Sequence, residues 1–121
     1  MTGWYPPLKT NLIRKRWSEE VRGIALELYG KIQDRTPVET GVAVGNWTMT
    51  IRMPAQDWNP SQTVPQTPMI AGFAEACENF IPIWISNNVP YIGPLEYGHS
   101  RVKSPQGMVR VSIAEIEAGY K

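Results

Sequence analysis

The sequence predicts an α+β fold, in which a long N-terminal helix packs on a small antiparallel sheet and a further helix closes the C-terminus. Three observations predict it: apolar residues at helical intervals between Ile13 and Ile32, strict alternation from Trp47 to Arg52, and a capped helical stretch between Ser104 and Gly119. A chain of 121 residues suits a single domain, 1–121, with one modest core.

The long helix rests on Ile13, Trp17, Val21, Ile24, Leu28 and Ile32, which recur every three or four residues and form one stripe. Its start is expected near Thr10, or at Ser18, where Glu19 and Glu20 suit a helix N-terminus. Pro37 disfavours helical geometry at Thr36, so the helix ends near Arg35. Gly23 and Gly30 weaken a helix interior, and close packing against another backbone is expected at one of them, with a tolerated surface glycine as the alternative.

Thr36 to Gly45 reads as a turn-rich crossing, followed by a strand. Trp47, Met49 and Ile51 lie on one face of that strand, Thr48, Thr50 and Arg52 on the other, and Pro54 is expected to stop it. From Pro54 to Pro68 the chain is polar and proline-rich, with only Trp58 and Val64 as sizeable apolar residues. Such a loop packs no core of its own, so it is expected to be a docking arm that orders on contact, or else a flexible excursion.

Ile70, Phe73, Ala74 and Cys77 predict a short helix, and Ile81 to Ser86 a strand with Pro82 at its first residue or on a sheet edge. Pro90 to Gly98 reads as a compact helical turn with Pro90 at its start and Gly98 as its left-handed cap. In the last segment Val109, Val111 and Ile113 alternate like a strand, whereas Val109, Ile113, Ile116 and Tyr120 form a helical stripe. Ser104 as cap, Pro105 at the first helical position and Gly119 as terminator decide for helix.

The composition, 42% hydrophobic and 19% charged with a net charge of +1, is that of a globular domain and gives no sequence-wide pull toward nucleic acid or acidic lipid. No apolar run approaches the roughly 20 residues that span a bilayer. A single Cys77 and an N-terminus without the marks of a secretory signal point to a reducing cytosol, where the Asn46-Trp47-Thr48 sequon goes unused.

Chemistry-bearing constellations are few. The sole histidine, His99, stands beside Ser100, and a hydrolase using His99 with Ser100 or Cys77, oriented by Glu96, is the one catalytic alternative. Nothing in the spacing specifically supports it. One Cys, one His and scattered acids predict no metal site, and no glycine turn matches a nucleotide-binding motif, so no cofactor is expected. Arg14, Lys15 and Arg16, with Arg22, form a basic run whose bland reading is a solvated helix face offset by Glu19 and Glu20, and whose other reading is a sequence-independent DNA contact. Trp4, Tyr5, Trp58 and Tyr120 sit near the ends or in the polar loop, where core burial is hard to arrange and partner surfaces are the natural use.

Three ordered segments carry a resemblance. They are Arg35-Thr36-Pro37-Val38-Glu39-Thr40-Gly41 leading to Gly45-Asn46-Trp47; Ile85-Ser86-Asn87-Asn88-Val89-Pro90-Tyr91-Ile92; and Leu95-Glu96-Tyr97-Gly98-His99-Ser100 leading to Pro105-Gln106-Gly107-Met108-Val109. Together they resemble the neck, or tail-completion, proteins of tailed bacteriophages, with Glu39 standing where that family has Asp. The resemblance implies a small α+β virion subunit that joins the tail to the head connector, commonly as a ring, without catalysis. Its implied partners are copies of itself, a head connector or stopper protein, the tail tube or its terminator, and packaged DNA at most non-specifically; no membrane is implied. A tail terminator that caps the tube is the neighbouring alternative. On this reading the corner from Asn87 to Gly98, which bears Tyr91, Glu96 and His99, and the proline-rich loop make subunit contacts, through Trp58, Asn87, Asn88, Tyr91, Glu96 and His99. The implied location is the head–tail junction of the virion, and the host cytoplasm during assembly.

Overall fold

A computed structural model describes residues 7–67, 70–97 and 107–119. Among these residues seven elements follow one another: α1 (Pro7–Arg35), α2 (Val42–Gly45), β1 (Thr48–Ile51), α3 (Phe73–Glu78), β2 (Ile83–Ser86), α4 (Ile92–Glu96) and α5 (Val109–Gly119). The expected α+β architecture, with its long N-terminal helix, two antiparallel strands and C-terminal helix, is what the chain adopts.

α1 is already helical at Pro7, ahead of both expected caps. Ser18 is no cap: it lies inside the helix and its hydroxyl donates to the Lys15 carbonyl at 3.0 Å. The helix ends at Arg35, as Pro37 requires. Of the expected stripe only Ile32 is buried, Val21, Ile24 and Leu28 are half-buried and Ile13 and Trp17 stay exposed, while the buried line runs through Ala25, Tyr29 and Ile32. Periodicity fixes the direction of an apolar face, not how far neighbouring elements extend along it. Gly23 and Gly30 both look onto open space, which overturns the expected close packing at one of them.

The core joins the helix to the sheet through Ala25, Tyr29, Ile32, Trp47, Met49 and Met108, with Phe73, Ile83, Ile85 and Leu95 packed around them. β1 and β2 pair antiparallel in the register Thr48↔Ser86, Met49↔Ile85, Thr50↔Trp84 and Ile51↔Ile83. Met49, Ile51, Ile83 and Ile85 therefore share the core side and Thr48, Thr50 and Trp84 the other, as the alternation predicts. β1 stops before Pro54: Arg52 takes a φ of 74°, its N–H still donates to the Pro82 carbonyl at 2.8 Å, and the chain turns away there. Pro82 directly precedes β2. In α3 the buried residues are Ala76 and Cys77, whereas Ala74 faces solvent.

The proline-rich segment is neither a free arm nor a loose excursion. It is strapped to its own domain by main-chain contacts that composition does not reveal. The Asn46 side chain donates to the carbonyls of Val42 at 2.8 Å, Asn59 at 2.9 Å and Gln62 at 3.3 Å, and accepts the Asn59 N–H at 2.7 Å. Gln66 donates to the Gly45 carbonyl at 2.8 Å, and Gln33 on α1 donates to the Gln66 carbonyl at 3.0 Å. At Gly45 an added Cβ would collide with the Gln62 backbone, so the strap lies directly on the end of α2.

The final helix is confirmed, but its cap differs from the expectation. Ser104, Pro105 and Gly98 lie outside the described residues, and the first N–H groups of α5 are instead received by Glu96 at the end of α4. Its buried line runs through Met108, Ser112 and Ile116, with Ile113 exposed and Tyr120 outside the described residues. Ser112 enters the core because its hydroxyl donates to the Met108 carbonyl at 2.6 Å. α4 starts at Ile92, with Pro90 and Tyr91 forming the turn before it.

Candidate functional site

The described parts of the three segments lie side by side: Asn87 of the second is bonded to Ala43 of the first, and Leu95 of the third lines one cavity with Pro37, Gly41 and Tyr91. Thr36, at the end of α1, accepts the indole N–H of Trp47 at 2.8 Å, and Tyr29 donates to the Trp47 carbonyl at 2.7 Å. Burial of Tyr29 among apolar neighbours pushes its hydroxyl up to about 12. Asn87, leaving β2, donates to the Ala43 carbonyl at 2.8 Å and accepts the Val89 N–H at 3.0 Å. Asn88 reaches the strap, donating to the carbonyls of Ala55 at 2.8 Å and Asp57 at 3.2 Å.

Glu96 completes the corner. Its Oε1 accepts the N–H groups of Met108 at 2.9 Å and Val109 at 2.8 Å, and its Oε2 accepts the N–H and Nε–H of Arg110, both at 3.0 Å. Burial alone would raise this carboxyl, but the N–H groups of Val109, Met108 and Arg110 with the Arg110 guanidinium outweigh it and hold the group below its ordinary value. Four donors fill the roughly four lone-pair directions of a carboxylate. Gly107 permits this approach, since a Cβ there would strike the Glu96 carbonyl, and the Arg110 guanidinium lies 4.8 Å from the Tyr97 ring centre.

These bonds engage three of the expected contact residues within the subunit. Asn87, Asn88 and Glu96 are committed inside the subunit, holding β2 to α2, the corner to the strap, and α4 to α5. Trp58 is 39% and Tyr91 41% exposed, and Asn88 also faces solvent. Tyr91 borders a half-open cavity of about 340 Å³ with Pro37, Glu39, Thr40, Gly41 and Leu95. His99 and Ser100 lie outside the described residues. Of the groups invoked for hydrolysis, Cys77 is buried, which pushes its thiol up and away from the nucleophilic thiolate, and Glu96 is fully engaged with α5.

Arg14, Lys15 and Arg16 are exposed on α1. Arg16 approaches Glu20 at 3.9 Å, and Lys15 and Arg16 share an open groove with Leu12, Glu19 and Glu20, so acids sit among the bases as the bland reading expects. Among the described residues no group of three or more His, Cys, Asp or Glu side chains is placed to hold a metal ion, and no helix is long and apolar enough to cross a membrane.

Phe80 is a surface residue that the sequence does not single out. It stands just beyond α3 with a φ of 59° and rests its ring on Trp17, centroids 5.4 Å apart. No local signal marks it, because its exposure depends on how α3 meets α1. Compared with known proteins, the chain matches no family model, and no curated protein or solved structure is significantly similar to it.

Proposed function

We propose that this chain is a virion structural protein of a tailed phage, acting at the head–tail junction as a neck or tail-completion subunit. It works by ring-forming self-association and docking, and not by catalysis. Its neighbours are further copies of itself, a head connector or stopper protein on one side, and the tail tube or its terminator on the other. Packaged DNA passes the ring and touches Arg14, Lys15 and Arg16 at most without regard to sequence, so that any affinity falls steeply with salt.

The observation that carries the reading is the ordered set of three motifs. Its support in the fold is that these motifs fasten the subunit to itself: Thr36 with Trp47, Asn46 with the strap, Asn87 with α2 and Glu96 with α5. Most of their polar groups are thereby used for shape, and aromatic side chains such as Trp58 and Tyr91 are left on the surface, where docking uses them.

Particles from a phage lacking the gene test this directly by electron microscopy. Filled heads beside free, complete tails are expected. Tails of uncontrolled length would assign the terminator role instead, and normal virions that contain none of this polypeptide would overturn both.

A further inference from the structure

The two strands of the sheet have unequal outer edges. Arg52 donates its N–H to the Pro82 carbonyl at 2.8 Å, so in the register of β1 and β2 the hydrogen-bonded pairs are Arg52 with Pro82, Thr50 with Trp84 and Thr48 with Ser86. The main-chain groups of the residues between them point away from the neighbouring strand.

On β1 that outer edge is closed. The Trp47 carbonyl accepts the Tyr29 hydroxyl at 2.7 Å, Met49 is buried, and the Ile51 carbonyl accepts the Met53 N–H at 2.9 Å. On β2 it is open. Among the described residues no hydrogen bond reaches the outward N–H and C=O groups of Ile83 and Ile85, which present donors and acceptors at strand spacing. Trp84 does not cover them, because its indole N–H is tied back to the Arg52 carbonyl on the β1 side at 3.2 Å.

An edge of this kind is ordinarily blunted by charge, a bulge or a covering element. Here the chain carries no Asp, Glu, Lys or Arg between Glu78 and Glu96, and Pro82 bounds the strand at one end only. What satisfies four such main-chain groups is another extended strand. β2 is itself such a strand, uncharged and already held straight by β1, so a second copy meets it without like-charge repulsion and without the cost of ordering a loose peptide. The closed edge of β1 excludes a head-to-tail extension from β2 of one copy to β1 of the next, which leaves the two-fold arrangement.

We infer that β2 of one chain pairs antiparallel with β2 of a second, making a continuous four-stranded sheet about a two-fold axis. In the register that satisfies all four groups, Ile83 of each copy faces Ile85 of the other and exchanges both main-chain bonds with it. Trp84 then faces Trp84 on the axis as a non-hydrogen-bonded pair, with Cα atoms about 4.5 Å apart. The pairing belongs to the free chain and does not rest on the role at the head–tail junction.

Sedimentation velocity and residue-resolved amide hydrogen exchange of the full chain, from micromolar to hundreds of micromolar, test it. The expected result is a reversible exchange between the 13.6 kDa chain and its dimer. As the dimer fills, the Ile83 and Ile85 amides slow at least about tenfold, while those of Trp84 and Ser86, paired with β1 throughout, change far less. Trp84→Lys chains alone and Trp84→Glu chains alone keep the circular dichroism spectrum but dimerise poorly, because like charges meet on the axis; mixed, they pair better than either alone. A dimer whose Ile83 and Ile85 amides exchange as fast as in the monomer, or a mixture that pairs no better than its components, overturns the inference. So does a chain that stays monomeric throughout, which leaves the joining role to be judged by the gene-deletion particles.

Discussion

The indole N–H of Trp47 donates to the Thr36 hydroxyl at 2.8 Å, and that hydroxyl donates in turn to the Ile32 carbonyl at 2.7 Å. One buried oxygen thus closes the C-terminus of α1 and fixes the residue that leads into β1. Thr36→Val keeps the shape but leaves the indole N–H without its acceptor, an arrangement that costs about 1–3 kcal/mol. Urea denaturation is expected to show that loss for Thr36→Val and a much smaller one for Thr36→Ser, which keeps the hydroxyl.

Removing the α5 cap is expected to show both in stability and in its acid dependence. Glu96→Ala strips three backbone N–H groups of their acceptor and is expected to lower stability by about 1–3 kcal/mol. Because the folded carboxyl is held below its unfolded value, its contribution is complete above the unfolded pKa, about 4.3, and is lost as pH falls through the folded value. Stability measured from pH 7 downward should therefore decline more steeply in the wild type than in Glu96→Gln.

Tyr29 makes the opposite prediction at alkaline pH. Its hydroxyl is pushed up to about 12, so the neutral form is favoured in the fold. That contribution is whole below the unfolded value, about 10, and disappears as pH rises through the folded one. Ultraviolet titration should find one tyrosine that ionises late or only on unfolding, and Tyr29→Phe should remove that late step.

Release of the strap is expected from Asn46→Ala, which deletes the amide that grips Asn59 and Gln62. Hydrogen exchange and limited proteolysis should accelerate between residues 55 and 67, with the exchange of β1 and β2 amides changing far less. Gly45→Ala should do the same by steric means, through the Gln62 backbone.

Elements governed by neighbours along the chain are legible in the amino-acid sequence alone. The end of α1 follows from Pro37 and the faces of β1 from its alternation. What stays hidden acts between segments. The Glu96 carboxylate stands 12–14 residues ahead of the N–H groups it receives, and no propensity or period signals such a contact. The strap reads as loose because its composition is polar, yet it is held by carbonyls, which every residue carries alike. For the same reason nothing along the chain signals that the amides of Asn87 and Asn88 fasten the subunit internally.

The strap is gripped mainly by its main chain, and Trp58, Pro60 and Ser61 face outward from it. The side chains of Trp58, Pro60 and Ser61 are therefore exchangeable while Asn59 between them stays gripped, which makes these three positions the natural place to attach a surface label and read its display on the folded protein.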